Sequence, residues 1–421
     1  MGSKPAMAFM GIALICTQVV RADIVAATSI TLDEAIERTV RDNPALVASG
    51  FQLVAQQGRI VQAELRPNLA LDLEVENLLG TGDFSALDRS ETTLSLAWVL
   101  ERGKREGRSA VAQAELTVLE TEQLLARIDA AAGTARLYLD ALELQALLTL
   151  AEESVARLEQ LTEAISRRVE AGRSPRADLA RSEVALAEQR LALDDLEHSL
   201  TVALHRLAAQ WGETAPALRE VQGDPASLPK LESFAVLSER VEASPRIARL
   251  LTERRVGEAR LRLAEVRARP NWRARAGLRH LEGPDEQAFV VGVTVPFGRN
   301  RNQGRIAEAR TALAATDATG AASRIQLETE LFALHQELEH EVHIAETFRE
   351  EILPRVESAL AETETAYLTG RYSFLDLKSA QDESTAARSA AVVAAVNANR
   401  ARIEIEHLIG LPIGSEGANN P

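Results

Sequence analysis

The chain has 421 residues, a formal net charge of −15, a single cysteine, and few aromatics against abundant Ala, Leu, Glu and Arg. That composition points to long helices and coiled coils. An acidic balance without a concentrated basic run argues against binding nucleic acid, which needs clustered Lys and Arg to follow phosphates, and one cysteine allows neither an internal disulfide nor a cysteine-based zinc site.

Lys4 precedes an apolar run from Ala6 to Val20, followed by small residues at Ala22 and at Ala26-Ala27. Residues 1–27 therefore read as a secretory signal, too short for a membrane span. Cys16 falls inside it, and Ile15 stands where a lipoprotein signal needs a small residue. Beyond the signal nothing approaches the roughly 20 continuous apolar residues of a membrane helix. If the mature chain enters a membrane, it must do so as strands.

Thr31-Leu32-Asp33-Glu34 has the form of a capping box and predicts a short helix to Asp42. Asn43-Pro44 reads as the cap and first turn of another, closed by Pro67. From residue 68 to about 79 the period changes to two, with Leu69, Leu71, Leu73 and Val75 on one face and Asp72, Glu74 and Glu76 on the other. After a loop at Gly80-Thr81-Gly82-Asp83, residues 91–100 alternate again, Leu94, Leu96, Trp98 and Leu100 against Thr93, Ser95, Ala97 and Val99. From Gly103 to Ala171 no proline occurs, and Leu125, Ile128, Ala132, Ala135, Leu139, Leu142 and Ala146 recur at the spacing of a coiled-coil seam. A helix of that length reaches about 100 Å. Gly172-Arg173-Ser174-Pro175 ends it, with Ser-Pro as cap and first residue of a returning helix to Gly212.

A Pro- and Gly-rich linker spans 213–230, and the plan begins again over 231–413. Ser244-Pro245 repeats Asn43-Pro44, and Arg269-Pro270-Asn271 repeats Arg66-Pro67-Asn68. Strands are predicted at 271–281 and 287–297, the first setting Arg273, Arg275 and Arg279 opposite Trp272, Ala274, Ala276 and Leu278. An unbroken second long helix then reaches Thr369, and Gly370-Arg371 repeats Gly172-Arg173. Residues 414–421 read as a disordered tail. The predicted fold is mainly helical with a small membrane β part. Four strands per chain cannot close a barrel, but three chains supply twelve, with Asp72, Glu74, Glu76, Arg273, Arg275 and Arg279 in the lumen.

The junctions Leu100-Glu101-Arg102-Gly103-Lys104-Arg105 and Pro296-Phe297-Gly298-Arg299-Asn300-Arg301-Asn302-Gln303-Gly304, with the duplication from Thr31 to Ile413, resemble the TolC-type outer-membrane factors of tripartite efflux pumps, in their heavy-metal cation branch. The glycine often found at the position of Arg102 is missing. The resemblance implies a homotrimer with a β-barrel in outer-membrane lipid and an α-barrel tunnel in the periplasm, docked to a periplasmic adaptor and an inner-membrane RND pump that exports metal cations. It also implies a periplasmic tip, where the adaptor docks, at Val169, Gly172, Arg173, Ser174 and Leu179 and at Leu368, Gly370, Arg371, Tyr372 and Leu377. Asp178 and Asp376, with Arg176 among the partner arginines, are gate candidates. Asp178 and Asp376 can also be read as ordinary first-turn aspartates favoured by the helix dipole.

No nucleophile, base and orienter set, phosphate-cradling loop or HExxH helix is present, so no enzyme and no cofactor is expected. His335, Glu339 and His343 share a helix face, but span roughly 12 Å and cannot bind one ion without a partner chain. Two other readings stay open: the same duct serving drugs or protein secretion, and a periplasmic coiled-coil scaffold.

Overall fold

The computed structural model of the protein describes residues 29–85, 89–298 and 302–414. The predicted signal segment with Cys16, the Arg299-Asn300-Arg301 part of the second junction and the tail beyond Gly414 lie outside the described residues.

Strand β1 (Ser29–Ile30) leads into α1 (Leu32–Asp42), whose capping box forms: Thr31 Oγ1 accepts from the Glu34 N–H at 3.3 Å and Glu34 accepts from the Thr31 N–H at 3.0 Å. Helix α2 (Pro44–Glu64) starts on Asn43, whose side chain accepts from the N–H groups of Ala45 and Leu46. Then come β2 (Ala70–Glu76), β3 (Glu91–Leu100), α3 (Lys104–Glu170) and α4 (Arg176–Ala209). The second half runs β4 (Glu220–Val221), α5 (Phe234–Glu242), α6 (Pro245–Arg267), β5 (Trp272–Leu281), β6 (Glu286–Thr294), α7 (Gln303–Thr347), α8 (Leu353–Leu368) and α9 (Phe374–Ile409). Equivalent caps make equivalent contacts: a Cβ on Gly212 would meet Pro44 at 3.5 Å, and one on Gly410 would meet Pro245.

Helix α3 has 67 residues, about 100 Å. The shorter α2 and α4 pack along it in turn, as α6 and α9 pack along α7 and its continuation. The predicted seam is buried at Leu125, Ala132, Ala135, Leu139 and Leu142. The main core joins Ala132, Ala135, Leu139 and Leu142 to Leu200, Leu204 and Leu207 of α4 and to Val396 and Ile403 of α9. No helix among the described residues is long and apolar enough to cross a membrane, which says nothing of strands.

Four strands form one antiparallel sheet in the order β2-β3-β5-β6. The β3–β5 pairing, from Leu100 opposite Trp272 to Glu91 opposite Leu281, joins the two halves of the chain. The strands are shorter than predicted, chiefly at the ends of β2 and β6. Asn77 and Leu79 take positive φ and turn the backbone out of β2, and β6 stops at Thr294 ahead of Pro296, which has no N–H for a ladder.

Three further features depart from the sequence reading. The second long helix is not unbroken: residues Phe348–Ile352 form a wide π turn between α7 and α8. Pro354 lies just beyond, unable to donate to the preceding turn, and the widened turn accommodates it. At the start of α4 the cap is Pro175, not Ser174, with extended φ −66° and ψ 146°. A two-residue parallel pairing of β1 with β4 was not foreseen. Tyr138 fastens it from α3, donating its hydroxyl to the Gln222 carbonyl, and burial pushes that phenol up to about 12.

Gly277 lies on β5 against Leu94 and Ser95 of β3, where an added Cβ would fall 2.3 Å from the Leu94 carbonyl oxygen. Gly277→Val is therefore expected to break the β3–β5 pairing while leaving the helices formed. The check is loss of the folded β part by heat-shift electrophoresis, with the helical circular dichroism signal retained.

Candidate functional sites

Two regions carry the predicted functional residues, the sheet and the turns at the far end of the helices. In the sheet the pairing register puts Asp72 opposite Ser95, Glu74 opposite Thr93, Thr93 opposite Arg279 and Ala97 opposite Arg275. Because side chains alternate, Asp72, Glu74, Glu76, Arg273, Arg275 and Arg279 share one face. Arg279 is the hub. Its Nη2 reaches Glu76 at 2.7 Å, its Nη1 Glu91 at 2.5 Å, and its Nε donates to Thr93 Oγ1 at 2.9 Å. Arg275 lies 3.6 Å from Glu74 and passes over Gly292, where a Cβ would collide with its side chain. The opposite face is apolar and open: Leu71 is 71% and Phe289 88% exposed, with Leu73, Leu94, Leu96, Val291 and Val293 beside them.

At the other end, α3 and α8 each stop on a glycine in the left-handed region, Gly172 at φ +71° and Gly370 at φ +79°. Both turns close alike: the Gly172 N–H donates to the Val169 carbonyl and Arg173 to Arg168, while Gly370 donates to Tyr367 and Arg371 to Ala366. This is the Schellman arrangement, which favours glycine because other residues are strained there. Ile165, Tyr367, Phe374 and Leu377 form a small core between the turns, with Val169 and Leu179 packed against it, and the Arg168 guanidinium lies 5.2 Å from the Tyr367 ring.

The tip residues named from the sequence thus divide. Leu368, 71% exposed, and Tyr372, 52% exposed, face outward with Gly172, Arg173, Gly370 and Arg371. Leu377 is 2% exposed and is corrected from a docking residue to a packing one. It sits one turn after Phe374, so both side chains point into the core between the turns. Leu375, which the sequence reading passed over, is exposed instead. The signal was available, since in Phe374-Leu375 a helix turns one side chain inward and the next outward.

Asp178 is half-buried and its N–H donates to the Pro175 carbonyl. Asp376 is spent within its own turn, accepting from the Ser373 N–H at 2.8 Å and its hydroxyl at 2.7 Å. Those hydrogen bonds hold its carboxyl below the usual aspartate value. The cap they form is complete above that ordinary value and is lost as pH falls through the lowered one. Within one chain, among the described residues, no ion pair joins Asp178 or Asp376 to Arg173, Arg176 or Arg371.

His335 is buried, its Nε2 2.9 Å from the Glu232 carbonyl and its ring edge-on to Phe234. Glu339 lies 3.6 Å from its Nδ1, whereas His343 is exposed. No group of three potential metal ligands converges among the described residues. His335→Ala is expected to destabilise the protein by about 1–3 kcal/mol by orphaning the Glu232 carbonyl, leaving calorimetric titrations with zinc, cobalt and copper unchanged.

The sheet is apolar on one face and charged on the other, and it is set on a bundle of very long helices. Residues 35–213 match the family described as outer membrane efflux protein. The chain is 28% identical over 358 residues to the cobalt-zinc-cadmium resistance protein CzcC of Cupriavidus metallidurans, covering 85% of this chain and 84% of that one. It is 26% identical over 281 residues to the nickel and cobalt resistance protein CnrC of the same organism, covering 64% and 65%. Its fold superposes on the solved structure of CusC with a TM-score of 0.75 at 15% identity, over 90% of this chain and 92% of that one. Residues 35–213 thus resemble the outer membrane efflux proteins, and the chain shares the fold of the solved CusC channel over nine-tenths of its length.

Proposed function

We propose that three copies of this chain, each an internal duplication, assemble as the exit duct of a tripartite efflux system that exports metal cations. One observation carries the reading. The sheet bares a continuous apolar face, and its outer strands β2 and β6 each keep one edge unpaired. In lipid an unpaired backbone group costs several kcal/mol, so an open sheet cannot remain there. Joining β6 of one copy to β2 of the next removes every edge once the circle closes. Four strands from each of three copies form a twelve-strand barrel, within the range of closed membrane barrels.

In that assembly the charged face lines the lumen and the helices continue as a periplasmic tunnel. The tip, with Leu368, Arg371, Tyr372 and Leu375 outward, meets a periplasmic adaptor that links it to an inner-membrane RND pump. Asp178, Asp376 and Arg176 of neighbouring copies face one another at the tunnel mouth. The metal assignment is supported by the names of the two relatives, which are resistance proteins for cobalt, zinc and cadmium and for nickel and cobalt.

Deletion of the gene is expected to sensitise cells to one or more of zinc, cadmium, cobalt, nickel, copper or silver and not to a drug panel, read as growth inhibition. Sensitivity to drugs alone overturns the metal assignment. The double variant Gly172→Leu with Gly370→Leu has open space for its side chains but forces each into the left-handed region, at roughly 1–2 kcal/mol per site. It is expected to leave the trimer intact by native mass and to abolish complementation of the deletion; normal export by it overturns the docking role.

A further inference from the structure

The end of the sheet from which the helices leave is ringed with cations that the sequence scatters. Strand β2 begins four residues after Arg66, β3 ends two residues before Arg102 and four before Lys104, and β5 begins after Arg267 and Arg269. Antiparallel pairing puts the start of β2, the end of β3 and the start of β5 on one level. Two contacts hold these three junctions together. Arg108, paired with Glu101 at 2.6 Å, donates to the carbonyl of Leu65 at 3.1 Å, tying the α2–β2 junction to the β3–α3 junction. Arg102, in the left-handed region at φ +49°, lays its guanidinium 5.0 Å from the ring of Trp272 on β5. Gly103 lies close against Val266, so the turn after β3 packs on the end of α6.

This collar is unusual in its neighbourhood. The chain is strongly acidic, yet among the described residues Arg66, Arg102, Lys104, Arg267 and Arg269 have no carboxylate in salt-bridge contact, although Glu101 lies beside them paired with Arg108. The Lys104 ammonium is held below its ordinary value, first by burial and further by the charge of Arg267, against the opposing pull of Glu101. Lys104 and Arg267 repel one another here, and the neighbouring carboxylate, Glu101, is already paired with Arg108. The turn at the opposite end of the sheet, between β5 and β6, carries Glu282, Asp285 and Glu286 instead.

We propose that this collar binds the phosphate headgroups of anionic phospholipid in the membrane leaflet facing the helices. Trp272, opposite Leu100, and Trp98, opposite Ala274 two residues further along the ladder, are exposed on the apolar face near this end of the sheet, where indole rings settle between acyl chains and headgroups. The guanidinium groups beside them match phosphate in charge and hydrogen-bond geometry. The inference rests on the reading of the sheet as part of a membrane barrel, and the experiment separates the two. The full-length protein is reconstituted into phosphatidylcholine vesicles containing either brominated phosphatidylcholine or, as the same minority fraction, brominated phosphatidylglycerol. Quenching of Trp272 is read in a Trp98→Phe, Trp211→Phe background.

Stronger quenching by the brominated anionic lipid is expected, with the excess weakened about fivefold for each neutralised cation near the surface. Arg102→Gln, Arg267→Gln and Arg269→Gln together are expected to remove the preference, and the corresponding lysine substitutions to keep it. Equal quenching by both lipids, in protein that inserts normally, overturns the headgroup site and leaves the barrel standing. Failure to insert into either vesicle, with no quenching at all, overturns both.

Discussion

Unpaired backbone along β2 and β6 is the constraint on which the structure turns. Within the chain the sheet is regular: every strand pairs antiparallel with its neighbour and each pairing keeps charged residues on one face and large apolar residues on the other. Its two outer edges have nothing further to pair with in one chain. Water satisfies such edges, but lipid does not. An apolar face that needs lipid and an edge that cannot tolerate it are reconciled by closing the sheet with other copies, and the proposed trimer follows from that conflict. The identity of the exported species does not follow from it, and depends on likeness to proteins named for metal resistance.

The sheet's position depends in turn on the two halves being locked together. At the membrane end the β3–β5 ladder does this. Along the helices charges do it, at a period visible only when partners are known. Glu115, Glu122, Asp129, Arg136 and Glu143 fall every seven residues on α3. Glu115 and Glu122 meet Arg260 and Arg249 of α6; Asp129 meets Arg246 of α6 and His407 of α9; Arg136 and Glu143 meet Glu404 and Arg400 of α9. Most of these side chains are partly exposed, where one ion pair contributes little. Their value is in register, because sliding α3 by seven residues, two turns, would set Arg136 against Arg246 or Arg400 and an acidic neighbour against Glu404.

At the tip one short segment divides its side chains between a core and the surface. Gly172 and Gly370 reverse the chain, and the four-residue core they bring together fixes the turns side by side. Leu377 belongs to that core, while Leu368, Tyr372 and Leu375 are left outward. Asp376 closes its own helix start through Ser373. The outward residues of this tip are therefore the ones the core leaves over, and only the packing separates the two sets.

Much of this was legible in the sequence because it is local. Period two against period 3.6 marked strands and helices, Thr31-Glu34 and Asn43-Pro44 marked helix starts, and Gly172 and Gly370 marked the reversals, each dictated by backbone geometry within a few residues. The charged strand face was equally readable, since alternation alone assigns it. The width of the turn before Pro354, the Tyr138 tie to the β1–β4 pair, the burial of His335 and Leu377, and the basic collar were decided only by tertiary structure. Each depends on groups far apart in the chain, from Arg66 to Arg269 for the collar. Their meeting is set by strand register and helix packing, for which a linear pattern carries no distance.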